Sequence, residues 1–391
     1  MSKELKIGVI GIGGRGQLAN NAHKPEEGVY LAAGADVNEK EFSGFREKYG
    51  TGVFVTADYR KMLDRKDINA VFVTSPDFLH EEHTIAALES GKDVYLEKPM
   101  AITVEGCDRI LETAFRLKRK VYVGHNMRHM SFVKKMKELI DGGRIGEIKA
   151  GWCRHFVAYG GDAYFKDWHA ERSKSTSLLL QKGAHDIDVL HWLCGGFSKR
   201  VTAVGGLTLY DRITDRHSPS DRGNAAFVRE NWPPLSQKGL NPVIDVEDIS
   251  MMLMEMDNGV FASYQQCHYT PDAWRNYTII GTDGRIENFG DRPGETFIRL
   301  WNRRYAYNPY GDENHFIPEV SGGHGGADPS IVSEFINYVR NGSKITTSAI
   351  AARCSVAAGY YAALSLRGGN MPFDIPPVPK EINDYFSGDV M

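Results

Sequence analysis

Residues 5–16 constrain this chain more than any other stretch: Leu5-Lys6-Ile7-Gly8-Val9-Ile10 runs directly into Gly11-Ile12-Gly13-Gly14-Arg15-Gly16. An apolar, strand-like run that ends in G-x-G-x-x-G and opens a helix is the signature of a dinucleotide-binding turn. Its glycines let the backbone bend tightly and approach a pyrophosphate, which the N–H groups and the helix dipole attract. The six letters alone are also satisfied by an ordinary glycine-rich turn, so the preceding strand is what makes the motif specific. Asp36 stands 20 residues beyond Gly16, at the end of the next apolar run. A carboxylate there accepts hydrogen bonds from the ribose hydroxyls and repels a 2′-phosphate. NAD is favoured, while the neighbouring Arg15 leaves NADP open.

The rest of the first third repeats one rhythm. Apolar runs at Lys6–Ile10, Tyr30–Asp36, Ala70–Thr74, Asp93–Leu96 and Val121–Gly124 alternate with helix-like segments near Gly16–Ala22, Glu39–Tyr49, Tyr59–Leu63, His80–Ser90 and Val104–Lys118. Strands that are apolar throughout are covered on both faces, and β-α repetition implies right-handed crossovers. The fold class expected is α/β, a Rossmann domain with a doubly wound parallel sheet over residues 1–125. Beyond Asn126 the rhythm changes. One helix, Ser131–Asp141, precedes long strand-like stretches at Ile148–Phe156, Arg200–Leu209, Ile249–Met256, Val260–Gln266, Tyr277–Gly281 and Arg285–Asn288. Asp257-Asn258-Gly259 and Thr282-Asp283-Gly284 have the composition of hairpin turns. Residues 126–391 are thus expected to form an α+β domain with a large, mostly antiparallel open sheet, followed by helices at Pro329–Arg340 and Ser348–Leu366. Tyr210–Asn241 carries no period and reads as an irregular excursion or an oligomer contact.

Composition narrows the functional classes. Lys and Arg number 47 against 50 Asp and Glu, a net charge of −3 on a chain that is 42% apolar. That excludes a disordered chain and lacks the basic excess of a nucleic-acid binder. No run approaches the roughly 18 uninterrupted apolar residues of a membrane span, and no signal-like region opens the chain, so a cytoplasmic protein with no membrane partner is expected. The cysteines Cys107, Cys153, Cys194, Cys267 and Cys354 never pair as Cys-x-x-Cys, which predicts neither a disulfide framework nor a metal site.

Three further stretches carry chemistry. Ser75-Pro76 and His80 follow the run Ala70–Val73, at the sheet edge where doubly wound folds bind ligands; a Ser-Pro turn capping a helix explains the same letters. Glu97-Lys98-Pro99 ends the strand Asp93–Leu96 at the same edge. There the Lys98 ammonium would hydrogen-bond a substrate hydroxyl and stabilise the developing alkoxide. Trp168-His169-Ala170-Glu171-Arg172 leads into Gln181-Lys182-Gly183-Ala184-His185-Asp186-Ile187-Asp188, helical in pattern, with His185 titrating in the range that suits an acid/base.

Together GIGGRG, EKP near residue 98 and G-x-H-x-x-D near residue 185 resemble the Gfo/Idh/MocA oxidoreductases over nearly the whole chain, the Gly-Thr-Asp-Gly-Arg-Ile stretch at 281–286 included. The resemblance implies that Lys98 acts near the nicotinamide and that His185 is the acid/base. It implies that Gly11, Ile12, Gly13, Gly14, Arg15, Gly16, Asp36, Ser75, Pro76, His80, Glu97, Lys98 and Asn126 form the cofactor site, with Trp168, Arg172, Gln181, Asp186 and His324 on the substrate side. There is one departure. Many members carry Asp four residues before the histidine; here Gln181 stands there, and Gln cannot carry a proton, so the relay passes to Lys182 or Asp186. The activity expected is hydride transfer between NAD and a secondary hydroxyl of a sugar, sugar derivative or cyclitol by a homo-oligomer, dimer or tetramer. The alternatives are a glycoside hydrolase that oxidises, eliminates and returns the hydride, prompted by the glycine-rich loop around His324, and a non-enzymatic sugar-binding regulator.

Overall fold

A computed structural model describes residues 4–218 and 226–390; residues 219–225 of the Tyr210–Asn241 excursion lie outside them. The chain forms two compact units, one of residues 1–129, 322–353 and 378–391, the other of residues 130–321 and 354–377.

In the first unit the described strands are β1 (Leu5–Ile10), β2 (Val29–Ala35), β3 (Phe54–Thr56), β4 (Ala70–Val73), β5 (Asp93–Leu96) and β6 (Val121–Val123). They form one sheet in the order β3-β2-β1-β4-β5-β6, parallel throughout. This is the doubly wound order that reverses at β1, and ligands bind at the carboxyl ends of strands beside such a reversal. The crossover helix Val104–Leu117 shows why the sequence was legible here. Thr103 caps it by accepting from Gly106 N–H at 3.0 Å, and Val104, Cys107, Ile110, Leu111 and Ala114 form its buried stripe.

The single domain break expected at residue 126 is only the first of the crossings. Helix Ala327–Asn341 returns to the first unit, where Ile331, Val332, Phe335 and Ile336 join the core of Val9, Phe72, Tyr95 and Tyr122. Phe335 sits edge-on to Phe72 and Tyr95, with centroids 5.3 and 5.6 Å apart. Burying a ring of this size contributes about 1.5–3 kcal/mol, enough to fix where the helix docks. A second helix, Lys380–Ser387, was not foreseen; it joins the same unit through Tyr385, edge-on to Phe115.

The second unit carries β7 (Ile148–Phe156), β8 (Ser198–Gly206), β9 (Ile249–Met256), β10 (Phe261–Cys267), β11 (Trp274–Gly281), β12 (Arg285–Phe289), β13 (Thr296–Trp301), β14 (Glu313–Ile317) and β15 (Phe373–Asp374). Their order is β14-β13-β12-β11-β7-β10-β9-β8-β15, antiparallel except for β7 with β10. Both expected hairpins are present, β9–β10 turning at Gly259 with φ +82° and β11–β12 turning at 282–284. β13 and β14 were not anticipated. The described part of the Tyr210–Asn241 excursion is irregular, with short 3-10 turns at Tyr210–Arg212 and Pro234–Ser236; Tyr210, Ile213 and Leu240 anchor it in a local apolar cluster. Helix Ala349–Arg367 is long and apolar enough to be compared with a membrane span, yet 72% of that window is buried inside the protein, as in a core helix.

Candidate active site

The glycine turn fits a dinucleotide for steric reasons visible at two positions. Gly11 has φ +86°, and a Cβ there would lie 2.9 Å from the Ser75 nitrogen and the Thr74 carbonyl oxygen. A Cβ on Gly16 would stand 2.0 Å from Gly11 O, so no other residue lets the 3-10 helix Gly14–Ala22 approach β1 this closely. Gly13 donates its N–H to Asp36 Oδ2 at 3.3 Å, while Oδ1 accepts from Asn38 N–H at 2.8 Å. The end of β2 thus presents one carboxylate beside the turn, where ribose hydroxyls would bind. Ile12 contributes backbone only, its side chain being in the core.

Arg15 does not face Asp36. Its Nε donates to Glu97 Oε1 at 2.7 Å, and its terminal nitrogens form a two-pronged pair with Asp328 at 2.9 and 3.0 Å. Burial would lower the guanidinium's pKa, but Glu97 and Asp328 more than offset it and hold the group charged. A guanidinium fixed toward the end of β5 is not available to a 2′-phosphate at the end of β2, three strands away with β1 and β4 between, so the opening for NADP through Arg15 closes.

Asp328 was missed from sequence, and it gathers several expected site residues. It accepts from Arg15, from Asn126 Nδ2 at 3.2 Å, and lies 2.8 Å from His324 Nδ1. Burial alone would raise its pKa, yet His324 and Arg15 hold it well below the carboxylate range. Its position in the first turn of a helix after Gly325-Gly326 was the available signal; its partner more than 300 residues earlier was not. Glu97 is further fixed by Tyr95 O–H at 3.3 Å and Lys98 N–H at 3.1 Å, which sets Lys98 at the carboxyl end of β5. His80 is buried, its ring nitrogens 2.7 Å from Pro99 O and 2.9 Å from Ser75 O. It ties the Ser75-Pro76 turn to the Lys98-Pro99 segment, a positioning role rather than a ligand contact.

In the second unit His185 occupies the first turn of helix Gly183–Cys194, with Lys182 at its N-cap, three residues away and so on the same side. Lys182 is 7% exposed, and its ammonium lies 5.5 and 5.4 Å from the ring centres of Tyr159 and Tyr164. Burial, then Arg275, lowers its pKa to about 7, against the pull of Asp186 and Asp291. Tyr164 meets His169 edge-on at 5.4 Å and Trp168 stacks on His169 at 3.7 Å, so the structure joins Trp168 to Lys182 through two rings. Gln181 is buried beside them. Arg172 instead turns to Glu247 at 3.2 Å, which Arg367 also grips.

Asp186 is not placed to meet a substrate or to serve a relay. It is fully buried and takes hydrogen bonds from Tyr264 O–H and His155 Nδ1, both at 2.9 Å, and from Tyr277 O–H, with Arg275 Nε 3.0 Å away. Burial by itself would raise its pKa; His155 and Arg275 hold it far below the usual range. His155 is pushed down to about 3 by burial and then by Arg275, so its contact with Asp186 is a neutral imidazole N–H donated to a carboxylate, not an ion pair. Arg275 already supplies the counter-charge. The signal for Arg275 lay in period 2: extending β11 back from Ile279 and Tyr277 puts this cation on the buried face.

The oxidoreductase family with an NAD-binding Rossmann fold matches residues 5–125, and its C-terminal alpha/beta domain matches residues 137–374. The chain belongs to the Gfo/Idh/MocA oxidoreductase family. The oxidoreductase YteT of Bacillus subtilis is 27% identical over 342 residues, covering 76% of this chain and 80% of its own length. Inositol 2-dehydrogenase of Azotobacter vinelandii is 36% identical over 192 residues, 48% of this chain; this chain spans about half, 54%, of that relative. Among solved structures, a levoglucosan dehydrogenase in complex with NADH and levoglucosan superposes with a TM-score of 0.76 over 96% of this chain and 100% of that one, at 21% identity, a likeness of fold. NAD is the cofactor of this family's Rossmann domain, and the cradle formed by Gly11, Gly13, Gly16 and Asp36 fits it.

Proposed function

We propose that the chain is an NAD-dependent dehydrogenase that oxidises a secondary hydroxyl of a sugar, sugar derivative or cyclitol. The observation that carries this reading is Lys98 at the carboxyl end of β5, following a glutamate locked by Arg15, on the edge that also carries the glycine turn and Asp36. Inositol 2-dehydrogenases among the relatives support the substrate class, and the glycoside hydrolase alternative draws no such support. NAD, when bound, supplies the acceptor of the two electrons and hydrogen removed from carbon. Asp36 holds the adenosine ribose and the Gly11–Gly16 backbone the pyrophosphate. Lys98 Nζ hydrogen-bonds the substrate oxygen and stabilises its negative charge as the O–H proton departs; an imidazole nitrogen of His185 takes that proton. The test is net NADH formation across a panel of sugars and cyclitols, read together with product analysis; aglycone release with no net NADH would overturn it.

Asp36→Ala is expected to weaken NAD by roughly 10- to 100-fold, since hydrogen bonds to a charged group are worth about 1.5–3 kcal/mol. NADP, which loses a repulsion, should weaken less or bind more tightly. Titration of both cofactors checks this, and an unchanged NAD-to-NADP ratio would exclude Asp36 as the discriminating group.

The outer face of the second sheet is the surface on which we place a second copy of the chain. Leu253 and Phe261 are 61% and 65% exposed on adjacent strands, beside a hollow of about 490 Å³ lined by Trp152, Arg154, Gln265, Ile280, Arg285 and Glu287. Cations and an anion on one face suit a self-complementary contact. Tyr264 is not on that face: it lies three residues from Phe261 on one strand, hence on the opposite face, where its hydroxyl meets Asp186. Leu253→Asp combined with Phe261→Asp should convert an oligomer to monomer by light scattering; a wild-type monomer at high concentration would refute the assignment.

A further inference from the structure

Lys182 differs from Lys166, the other buried cation among the described residues of the second unit, and from the part-buried Arg275 and Arg367. Lys166 pairs with Asp162 at 2.8 Å, Arg275 with Asp186 and Asp291 at 3.0 and 3.4 Å, and Arg367 with Glu247 at 2.7 Å. The Lys182 ammonium, by contrast, makes no hydrogen bond or ion pair among the described residues and has only the faces of Tyr159 and Tyr164. Aromatic faces replace part of the hydration lost on burial, but not a counter-ion. Asp186 cannot serve, because its oxygens are held by His155, Tyr264 and Tyr277. Gln181, where Asp is expected from the family resemblance, brings no charge. The site therefore lacks that anion and holds a cation, and the dipole of the twelve-residue helix Gly183–Cys194 that begins beside Lys182 adds positive potential.

We propose that Lys182 recognises a carboxylate carried by the substrate, so that the preferred substrates are acidic sugars, hexuronates or aldonates, rather than neutral hexoses or cyclitols. This deepens the dehydrogenase reading above and rests on it. One unpaired ammonium matches the single charge of a carboxylate; a phosphate dianion would leave excess negative charge. Lys182 and His185 are one helical turn apart, so one monosaccharide can present its acid group to the first and its reacting hydroxyl to the second.

The groups facing Lys182 are the cation Arg275, the carboxylates of Asp186 and Asp291, and the imidazoles of His155 and His268, both kept neutral by burial. With the free ammonium near 7, a bound carboxylate stabilises the protonated form. Affinity for the acid should then be level below about pH 7 and fall as pH rises above it.

The experiment compares glucuronate, galacturonate and gluconate with glucose, galactose and myo-inositol. Dissociation constants are measured by calorimetry on the NAD-loaded protein, and kcat/KM by NADH formation. The acids are expected to bind at least tenfold more tightly. Lys182→Met should cut the acid-over-neutral ratio by about 30-fold or more, the loss expected for removing one partner of a buried charge pair, and Lys182→Arg should restore part of it. Retained NAD binding and thermal melting certify that the variants fold. Equal affinity for acids and neutral sugars, or an equal loss on both with Lys182→Met, overturns the proposal and leaves Lys182 to proton handling or structure. Lys182-dependent binding of an acid without NADH formation from any compound would sustain the proposal and overturn the dehydrogenase reading instead.

Discussion

Lys98→Met is expected to bind NAD as the native protein does and to lose about 10²–10⁴-fold in kcat, the range contributed by a general acid–base group. The separation is possible because the residues that fit the cofactor, Gly11, Gly13, Gly16 and Asp36, follow the carboxyl ends of β1 and β2, while Lys98 follows that of β5. Methionine keeps most of the stem's length and removes the charge, so Glu97 should stay fixed by Arg15 and Tyr95. His185→Ala should lose a comparable factor. If both side chains serve one proton path, the double variant loses far less than the product of the two factors, as coupled groups do. Cofactor titration and steady-state rates on the best substrate of the panel decide it. A Lys98→Met enzyme within about tenfold of native turnover would remove Lys98 from the chemistry.

Asp186→Asn is expected to lower the stability of the second unit by about 3–5 kcal/mol, the cost of breaking a buried charge pair while leaving its cation in place. Arg275 would keep only Asp291, and three groups aimed at the carboxylate would face a neutral amide. The same cluster makes the native protein acid-sensitive, with both signs agreeing. Asp186 titrates lower in the folded protein than unfolded, so its contribution is whole above the ordinary carboxylate range and is lost as pH falls below it. His155 is held near 3 against an ordinary 6.5, so between those values the unfolded chain takes up a proton that the folded one refuses, and stability falls as pH drops through that window. Denaturant unfolding at pH 7 and pH 5 reads the His155 contribution, and comparison of Asp186→Asn with the native protein at pH 7 reads that of Asp186. A loss below about 1 kcal/mol in Asp186→Asn, or equal stability at the two pH values, would show that the cluster is not held as described.

The readable parts of the chain were those governed by nearest neighbours. Uniformly apolar runs bounded by turns gave β1, β2, β4, β5 and β6 within a residue or so, and Asp257-Asn258-Gly259 gave its hairpin, because burial on two faces and positive φ leave a mark at each position. β13 and β14 were missed because Arg299, Asn314 and His315 interrupt their apolar pattern on an open sheet. The candidate site divides in the same way. Gly11, Gly13, Gly16, Asp36 and Lys98 are marked by their place after strands. Asp328 and Arg275, which set the charge state of their surroundings, carry only weak local marks, a first-turn place in a helix and a period-2 place on β11, while their charge partners lie 313 and 89 residues away.

The sequence by itself determined the Rossmann sheet, its glycine turn and the place of the acidic residue proposed to select the cofactor, all of which follow from limits on a few adjacent residues. Only the tertiary structure decided how the charges were shared out. It committed Arg15 to Glu97 and Asp328, closed Asp186 inside a ring of donors, and left Lys182 buried without a counter-ion. Whether a charged side chain is a ligand group or part of the core depends on which opposite charge lies within about 4 Å once water is gone, and folding sets that distance between residues far apart in the chain.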